Sequence, residues 1–592
     1  MKKYLVQIQI GPVQDFIAAA RRERDLHSGS AILCKLVKKV LDELGVVSLI
    51  FPYPEDVITP PNKVIFTIEV NSPEELVERI SEVREKVYSF LDKKVRELLQ
   101  GIDKIDLDIV LAQIKDAFEF YWVAVEIKEN YVSERIRLNY LIKARKFTRD
   151  FRQVALEGSK KTNAWGANKP KSSLDGSRES VIPEEEYPKP GEDQDRKKAK
   201  ELFRKYRIRE NERLCGVGLL KRFYRFDNSE AFPSTAHVAA LPLIKSAKNS
   251  DEARQAVKDF KKKLVELGLD ESELRTVAAE HSVLGRMDGY FLFEERMADF
   301  FDGEKLEKAK SLVREMMKKV FGEGRAPIPY YSILLADGDS IGKIIDGIKD
   351  EDSHREFSKA LSEFAESVRK IVNETYEGYL IYAGGDDVLA LMPLHTVLEC
   401  AEELSCEFKK KLEGFGKESI SPSISIGIAV CHYLEPLQNS LENARLAERE
   451  AKSVSGKDAL AILVDKRSGE TRIVKDKTLE LCRRLSELID FDRKGEISHQ
   501  AAYALLELAR VLEGSKEDIR LQGLHERELK SLEARRILKR KILETGGVGA
   551  ELEKFRKLFE LVKKENGVRQ LADELVIARI FTNAKKQAEG EI

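Results

Sequence analysis

Between two apolar segments the chain reads Tyr382-Ala383-Gly384-Gly385-Asp386-Asp387-Val388. Paired glycines supply the positive φ angles of a tight hairpin and leave backbone open for a phosphate to approach, while the carboxylates project from the tip. Two adjacent acids between buried strands invite a hard cation. A second acidic strand end, Asp337-Gly338-Asp339-Ser340, closes the apolar run from 330 and stands 49 residues earlier (386 minus 337). If the two strands lie side by side, three or four of these carboxylates hold Mg²⁺ or Mn²⁺, neutralise a triphosphate and activate a 3′-hydroxyl for attack on an α-phosphate. Acid-rich hairpin tips also occur as plain solvated turns; the coincidence of both acidic ends in one unit favours the site. Lys452, late in a helical stretch, is spaced to reach a triphosphate.

The elements needed to position these residues are legible. YYSILLADGDSIGKII (330–345) reads as a strand with acids at its end, followed by a helix through about Thr375. A hairpin then covers 379–393, a helix 394–413, a strand 423–430, a helix 436–454 and a strand 459–464. The same order occurs near the N-terminus: a half-buried strand at 4–10, a helix from Pro12 to about Leu26, strands 47–51 and 63–70 around a Pro-rich loop, a charged helix over 74–100 and a strand 121–127. Both read as ferredoxin-like α+β units, an internal duplication. The first copy has Gly11-Pro12 where the second has Asp337, and the Pro-rich loop where the second has its acidic hairpin, so only the second is equipped for metal chemistry. Residues 155–215 are polar and charged, an insertion or linker. After about Lys475 the apolar spacing is helical, a C-terminal bundle. The expected domains are 1–154, 155–325, 326–474 and 475–592.

Composition agrees with a multidomain globular chain. At about 150 residues per domain, 592 residues suggest roughly four domains. Hydrophobic residues at 42% and charged residues at 35% exclude a disordered or collagen-like chain. No apolar run is long enough for a bilayer, and the start reads as strand and turn, not as a signal peptide, so a cytoplasmic location without membrane contact is expected. The net charge of -1 leaves any nucleic-acid affinity to local patches, such as RLNYLIKARKFTRDFR (137–152) and KSLEARRILKRK (530–541), each of which also reads as a solvated helix face. Six cysteines with no C-x-x-C pair give no disulfide framework and fit a reducing compartment.

These segments resemble the large polymerase/cyclase subunit of type III CRISPR effector complexes, in its Cmr-type (III-B) branch. The resemblance rests on IGPVQDFIAAARRERDLHSGSAIL (10–33), ERLCGVGLLKR (212–222), FPSTAHVAALP (232–242), LLADGDSIGK (334–343), YAGGDDVLALMP (382–393) and SISIGIAVCHYLEPLQNSLENARLAEREAK (423–452). It implies two facing palm domains with ATP between them, converted to 3′–5′ cyclic oligoadenylate when the complex holds cognate target RNA. By the same resemblance Asp337, Asp386 and Asp387 are metal ligands, with Asp339 a fourth acid. Gly384 and Gly385 pass phosphates by backbone, Gly338 counts among the nucleotide-binding positions, and Ser340 and Lys452 contact the triphosphate. Ser28-Gly29-Ser30 would lie near a nucleotide at the domain junction, although the segment alone reads as a helix cap or turn. The partners implied are crRNA, target RNA, the subunit holding the crRNA 5′ tag and small helical subunits.

Two departures from the family pattern shape the expectation. The chain opens at the first palm and has no His-Asp dipeptide, so no HD-type DNase activity is expected. Where relatives carry a four-cysteine zinc site, the stretch from Lys171 to Gly176 has no cysteine, and Cys215 stands with Gly218 where a second thiolate would fall; no structural zinc is expected. Alternatives at this level are an adenylated S-adenosylmethionine conjugate as product, a non-catalytic scaffold, and a free-standing cyclic-dinucleotide synthase using GTP.

Overall fold

The computed structural model describes residues 1–54, 59–128, 130–148, 170–188, 195–224, 232–274, 276–416, 421–467, 469–514, 524–543, 556–562 and 567–592. Residues 155–169 and 189–194 of the polar, charged insertion expected over 155–215 therefore lie outside the described residues, as does the tip of the first Pro-rich loop.

The N-terminal unit runs β1 (Lys2–Gly11), α1 (Gln14–Ala18), α2 (Glu23–Leu44), β2 (Ser48–Phe51), β3 (Lys63–Val70), α3 (Pro73–Leu98), α4 (Leu107–Ala117), β4 (Glu119–Glu126) and α5 (Tyr131–Phe147). Its sheet has the order β2-β3-β1-β4, antiparallel throughout, which is the ferredoxin-like order. Two features differ from the sequence expectation. The helix expected over Pro12–Leu26 is broken, because the buried Lys221 ammonium takes the carbonyls of Phe16 and, at 2.7 Å, Ala19. The strand expected to be half-buried is covered on both faces. Tyr4, Val6, Ile8 and Ile10 join the main core, while Leu5 packs with Ile50, Ile65, Val125 and Leu138.

The middle segment contributes α6 (Asp195–Tyr206), α7 (Gly216–Phe223), α8 (Thr235–Lys245), α9 (Asp251–Glu266), the short hairpin β5 (Thr276–His281) and β6 (Gly285–Met287), and α10 (Gly303–Phe321). Its apolar residues share one continuous core with the first unit and with the back of the next sheet at Tyr331, Ile333 and Leu391. Buried Arg222 of α7 pairs with Asp25 of α2 at 2.8 Å and with Glu212 at 3.0 Å, stapling this segment to the first palm-like unit.

The second α+β unit runs β7 (Tyr330–Gly338), α11 (Ile341–Asp346), α12 (Glu351–Lys370), β8 (Tyr379–Gly384), β9 (Asp387–Met392), α13 (Val397–Lys411), β10 (Ile424–His432), α14 (Leu437–Lys452), β11 (Ala459–Val464) and β12 (Arg472–Lys477). Its six strands lie in the order β12-β11-β10-β7-β9-β8, and the four from β10 to β8 repeat the N-terminal order. A face of the first sheet meets α12. Glu351 accepts from Lys3 at 3.0 Å and Thr67 at 3.1 Å, and Arg355 donates to the Leu49 carbonyl at 2.8 Å. The rest is helical: α15 (Thr478–Arg493), α16 (Gln500–Gly514), α17 (Leu524–Leu543), α18 (Arg556–Val562) and α19 (Gly567–Ala588). α19 packs on α15, α16 and α8, and its Glu574 pairs with Arg484 at 2.8 Å.

Candidate functional site

β7 is the central positioning element. It pairs with β9, Ala336 opposite Val388, and with β10, Asp337 opposite Ser425. The β8–β9 hairpin closes with Gly384 opposite Asp387, leaving Gly385 at φ +81° and Asp386 at the turn. Sheet pairing thus brings Asp337, Asp386 and Asp387 together at one end of the sheet. Gly338 permits the approach, since a Cβ there would fall 2.8 Å from the Asp386 Cβ and 2.7 Å from an Ile341 side-chain carbon. Gly384 is required for a different reason: the Tyr382 ring occupies the space a side chain would take.

Crowding shifts the acids. Burial and the negative charge of Asp337 push the Asp386 carboxyl up to about 6. Asp387 rises to about 9 through burial, a hydrogen bond with Asp337 and the charge of Asp386. Cations answer this charge. The Lys452 ammonium bonds to Asp337 and lies 2.6 Å from Glu448. Burial works against its charge, but those two carboxylates overcome burial and hold its pKa above the usual value. Lys63, at the start of β3 in the first unit, is lowered to about 8 by burial and feels the Asp386 charge in the opposite sense.

Lys63 and Glu448 were not singled out by sequence reasoning. Lys63 follows the Pro-rich loop that replaces the acidic hairpin in the first copy, and nothing local to it points across to the second sheet. Glu448 had a signal, standing four residues before Lys452 on one helix face. The helix that presents both is held against β10 at Gly427, where a Cβ would meet the Glu448 backbone nitrogen at 2.2 Å.

The remaining expected residues are placed differently. Asp339, expected as a fourth metal acid, is 3% exposed and accepts hydrogen bonds from Ser423 Oγ at 2.8 Å, Ser425 Oγ at 2.8 Å and the Asp458 amide at 3.0 Å. With both oxygens so engaged, it ties β7 to β10 and to the start of β11. Ser340 sits at φ +58° before α11, its carbonyl receiving the Lys343 and Ile344 amides. Ser28-Gly29-Ser30 lies inside α2, where Ser28 is wholly buried and the Gly29 position faces Ile17 and Lys221. The segment is packed against protein, not set at a cap or turn. Cys215 is buried and caps α7, its Sγ accepting from the Gly218 amide at 3.4 Å.

The donor set at the sheet end is all carboxylate oxygen, which suits a hard divalent cation. Among the described residues, however, no three His, Cys, Asp or Glu side chains converge closely enough to enclose an ion as they stand. The Lys452 ammonium on Asp337 and the hydrogen bond between Asp337 and Asp387 offset part of the cluster's charge. A bound cation would take the place of those contacts.

Residues 330–461 match the family model for the second palm domain of Cas10/Cmr2, and residues 5–65 match that for the N-terminal part of the CRISPR-associated protein Cmr2. The chain is 28% identical over 571 residues to the CRISPR system Cmr subunit Cmr2 of Pyrococcus furiosus, covering 78% of this chain. It spans 62% of the length of that relative. Two solved structures share the fold at 15% identity. A type III-B Cmr-beta chain in the apo state gives a TM-score of 0.58, covering 91% of this chain and 77% of that one. A Cmr-beta chain from the complex bound to cognate target RNA gives 0.61, covering 98% and 83%. Among the described residues, no helix is long and apolar enough to cross a membrane.

Proposed function

We propose that this Cmr2-related chain is the large subunit of a cytoplasmic type III-B effector complex in antiviral defence. In that role it is a metal-dependent nucleotidyltransferase, activated by target RNA, that joins ATP through 3′–5′ bonds into cyclic oligoadenylate. The observation that carries this reading is the gathering of Asp337, Asp386 and Asp387 at one sheet end, where burial and mutual repulsion raise Asp386 to about 6 and Asp387 to about 9. Such crowding stabilises nothing by itself and is relieved by a divalent cation.

Asp337, Asp386 and Asp387 would hold Mg²⁺ or Mn²⁺. The cation supplies charge neutralisation on the phosphates and lowers the pKa of the attacking hydroxyl. Lys452 exchanges its carboxylate partner for a phosphate oxygen, keeping its ammonium at the triphosphate. Gly384 and Gly385 present bare backbone at the hairpin, and Lys63 brings a cation from the first palm to the same place. The partners belong to the same proposal: crRNA, target RNA, the 5′-tag-binding subunit and small helical subunits. So do the divisions 1–154, 155–325, 326–474 and 475–592. The adenylated S-adenosylmethionine conjugate stays an alternative product, because the residues at the site specify phosphate chemistry and no acceptor.

One observation favours a second reading, a non-catalytic scaffold: the Lys452 ammonium already pairs with Asp337. Calorimetric titration of the full chain with a non-hydrolysable ATP analogue separates the two. The catalytic reading expects binding that needs Mn²⁺, is abolished by chelator and is lost in Asp386→Ala/Asp387→Ala. Binding that is equal with chelator and in the variant supports the scaffold.

A further inference from the structure

The C-terminal bundle encloses a cavity of about 200 Å³ between α15, α16 and α19, on elements that do not carry the acidic cluster. Lys466, Arg579, Tyr503, His499, Asn583 and Asp492 stand around it. Two of these are cations close to one another, and among the described residues neither Lys466 nor Arg579 makes an ion pair. Partial burial and the nearby guanidiniums of Arg472 and Arg579 hold the Lys466 ammonium below its usual range. Arg472 is itself neutralised by Asp573, whereas Asp492 lies toward the opposite partner, 3.6 Å from His499 Nδ1. Lys466 and Arg579 thus line one cavity with their charges within electrostatic reach of each other. The N-terminus of α16, a helix of 15 residues, opens at the same place through Ser498 and His499, adding its positive dipole end. Tyr503, on the same lining, is 64% exposed.

Repelling cations, a helix N-terminus, an open aromatic face and an amide side chain form the donor set for one ribonucleotide: phosphate against Lys466 and Arg579, base stacked on Tyr503. We propose that this cavity binds one nucleotide of single-stranded RNA, at a site separate from the acidic cluster.

The test uses the full chain carrying Asp386→Ala/Asp387→Ala with chelator present, so that the palm site is silent. A short labelled single-stranded RNA containing 4-thiouridine is titrated and then photo-crosslinked. The expected result is a crosslink in the peptide containing Tyr503. Affinity should fall about tenfold in Tyr503→Ala with an unchanged salt slope, and fall with a shallower slope in Lys466→Ala and Arg579→Ala. Competition by AMP equal to that by RNA would assign the site to free mononucleotides and overturn the RNA proposal. Competition by inorganic phosphate with no effect of Tyr503→Ala would reduce it to an anion site and also overturn it. Affinity unchanged in all three variants, with crosslinks confined to α5 or α17, would overturn it outright.

Discussion

The acidic cluster depends on small residues as much as on acids. Gly338→Ala puts a methyl group within 2.8 Å of the Asp386 Cβ and moves the hairpin away from β7. A displacement near 1 Å at a reacting centre is enough for about a 100-fold loss of rate, so this variant should lose most nucleotide turnover while remaining folded, as activity and thermal unfolding measured together would show. Asp339 belongs to a different class. Its Ala variant leaves the Ser423 and Ser425 hydroxyls and the Asp458 amide without their acceptor, which should destabilise the chain by roughly 2–3 kcal/mol in denaturant titration. In the sequence Asp337 and Asp339 both end one apolar strand, and Asp339 is expected only as a fourth acid beside Asp337, Asp386 and Asp387. Only the pairing of β7 with β10, and the arrival of Asp458 from 119 residues away, shows that Asp339 is engaged by Ser423, Ser425 and the Asp458 amide.

At the level of elements, both ferredoxin-like units were legible from alternation and turn residues, and strand 63–70 was expected where it is found. Three features were not. α4 is capped by Asp106 and reads locally as mixed sequence; β12 is a short charged segment whose strand character comes only from pairing on β11; the α1–α2 break is imposed by Lys221, distant in the chain. Lys221 and Arg222 together make α7 the brace of the first unit. Arg222→Ala strands Asp25 in the interior, leaving Glu212 with Arg22 alone, and should cost about 3–5 kcal/mol. The pH dependence follows with a definite sign. Burial alone would raise Glu212, but Arg222 and Arg22 overcome it and hold the carboxyl at about 2 against an ordinary 4.5. Its stabilising contribution is therefore complete above about pH 4.5 and is lost as pH falls toward 2. Unfolding midpoints from pH 6 to pH 2.5 should decline less steeply in Glu212→Gln than in the parent chain.

Across the whole molecule, the two sheets are held by Lys3, Thr67, Leu49 and Ser48 of the first unit against Glu351 and Arg355 of α12. That contact, together with the core running under both sheets, brings Lys63 of one unit within electrostatic reach of Asp386 in the other. Sequence reading found the duplication and its asymmetry, an acidic hairpin answered by a Pro-rich loop. It could not find that the loop ends in a lysine whose charge reaches Asp386, because no local pattern encodes an interaction between two sheets so far apart in the chain. Arg355→Ala, which removes the bonds to Leu49 and Ser48, should lower turnover by loosening this junction while leaving the carboxylate cluster intact.

The central claim is that Asp337, Asp386 and Asp387 form a metal-dependent nucleotidyl-transfer site. Its most direct test incubates the assembled ribonucleoprotein with labelled ATP and Mg²⁺ or Mn²⁺, with and without cognate target RNA and S-adenosylmethionine, and resolves the products by mass spectrometry. The account predicts RNA-dependent adenylate products that vanish in Asp386→Ala/Asp387→Ala, their masses separating cyclic oligoadenylate from the conjugate. A complex that binds target RNA yet consumes no nucleotide under any of these conditions, or whose products persist in the variant, would contradict it.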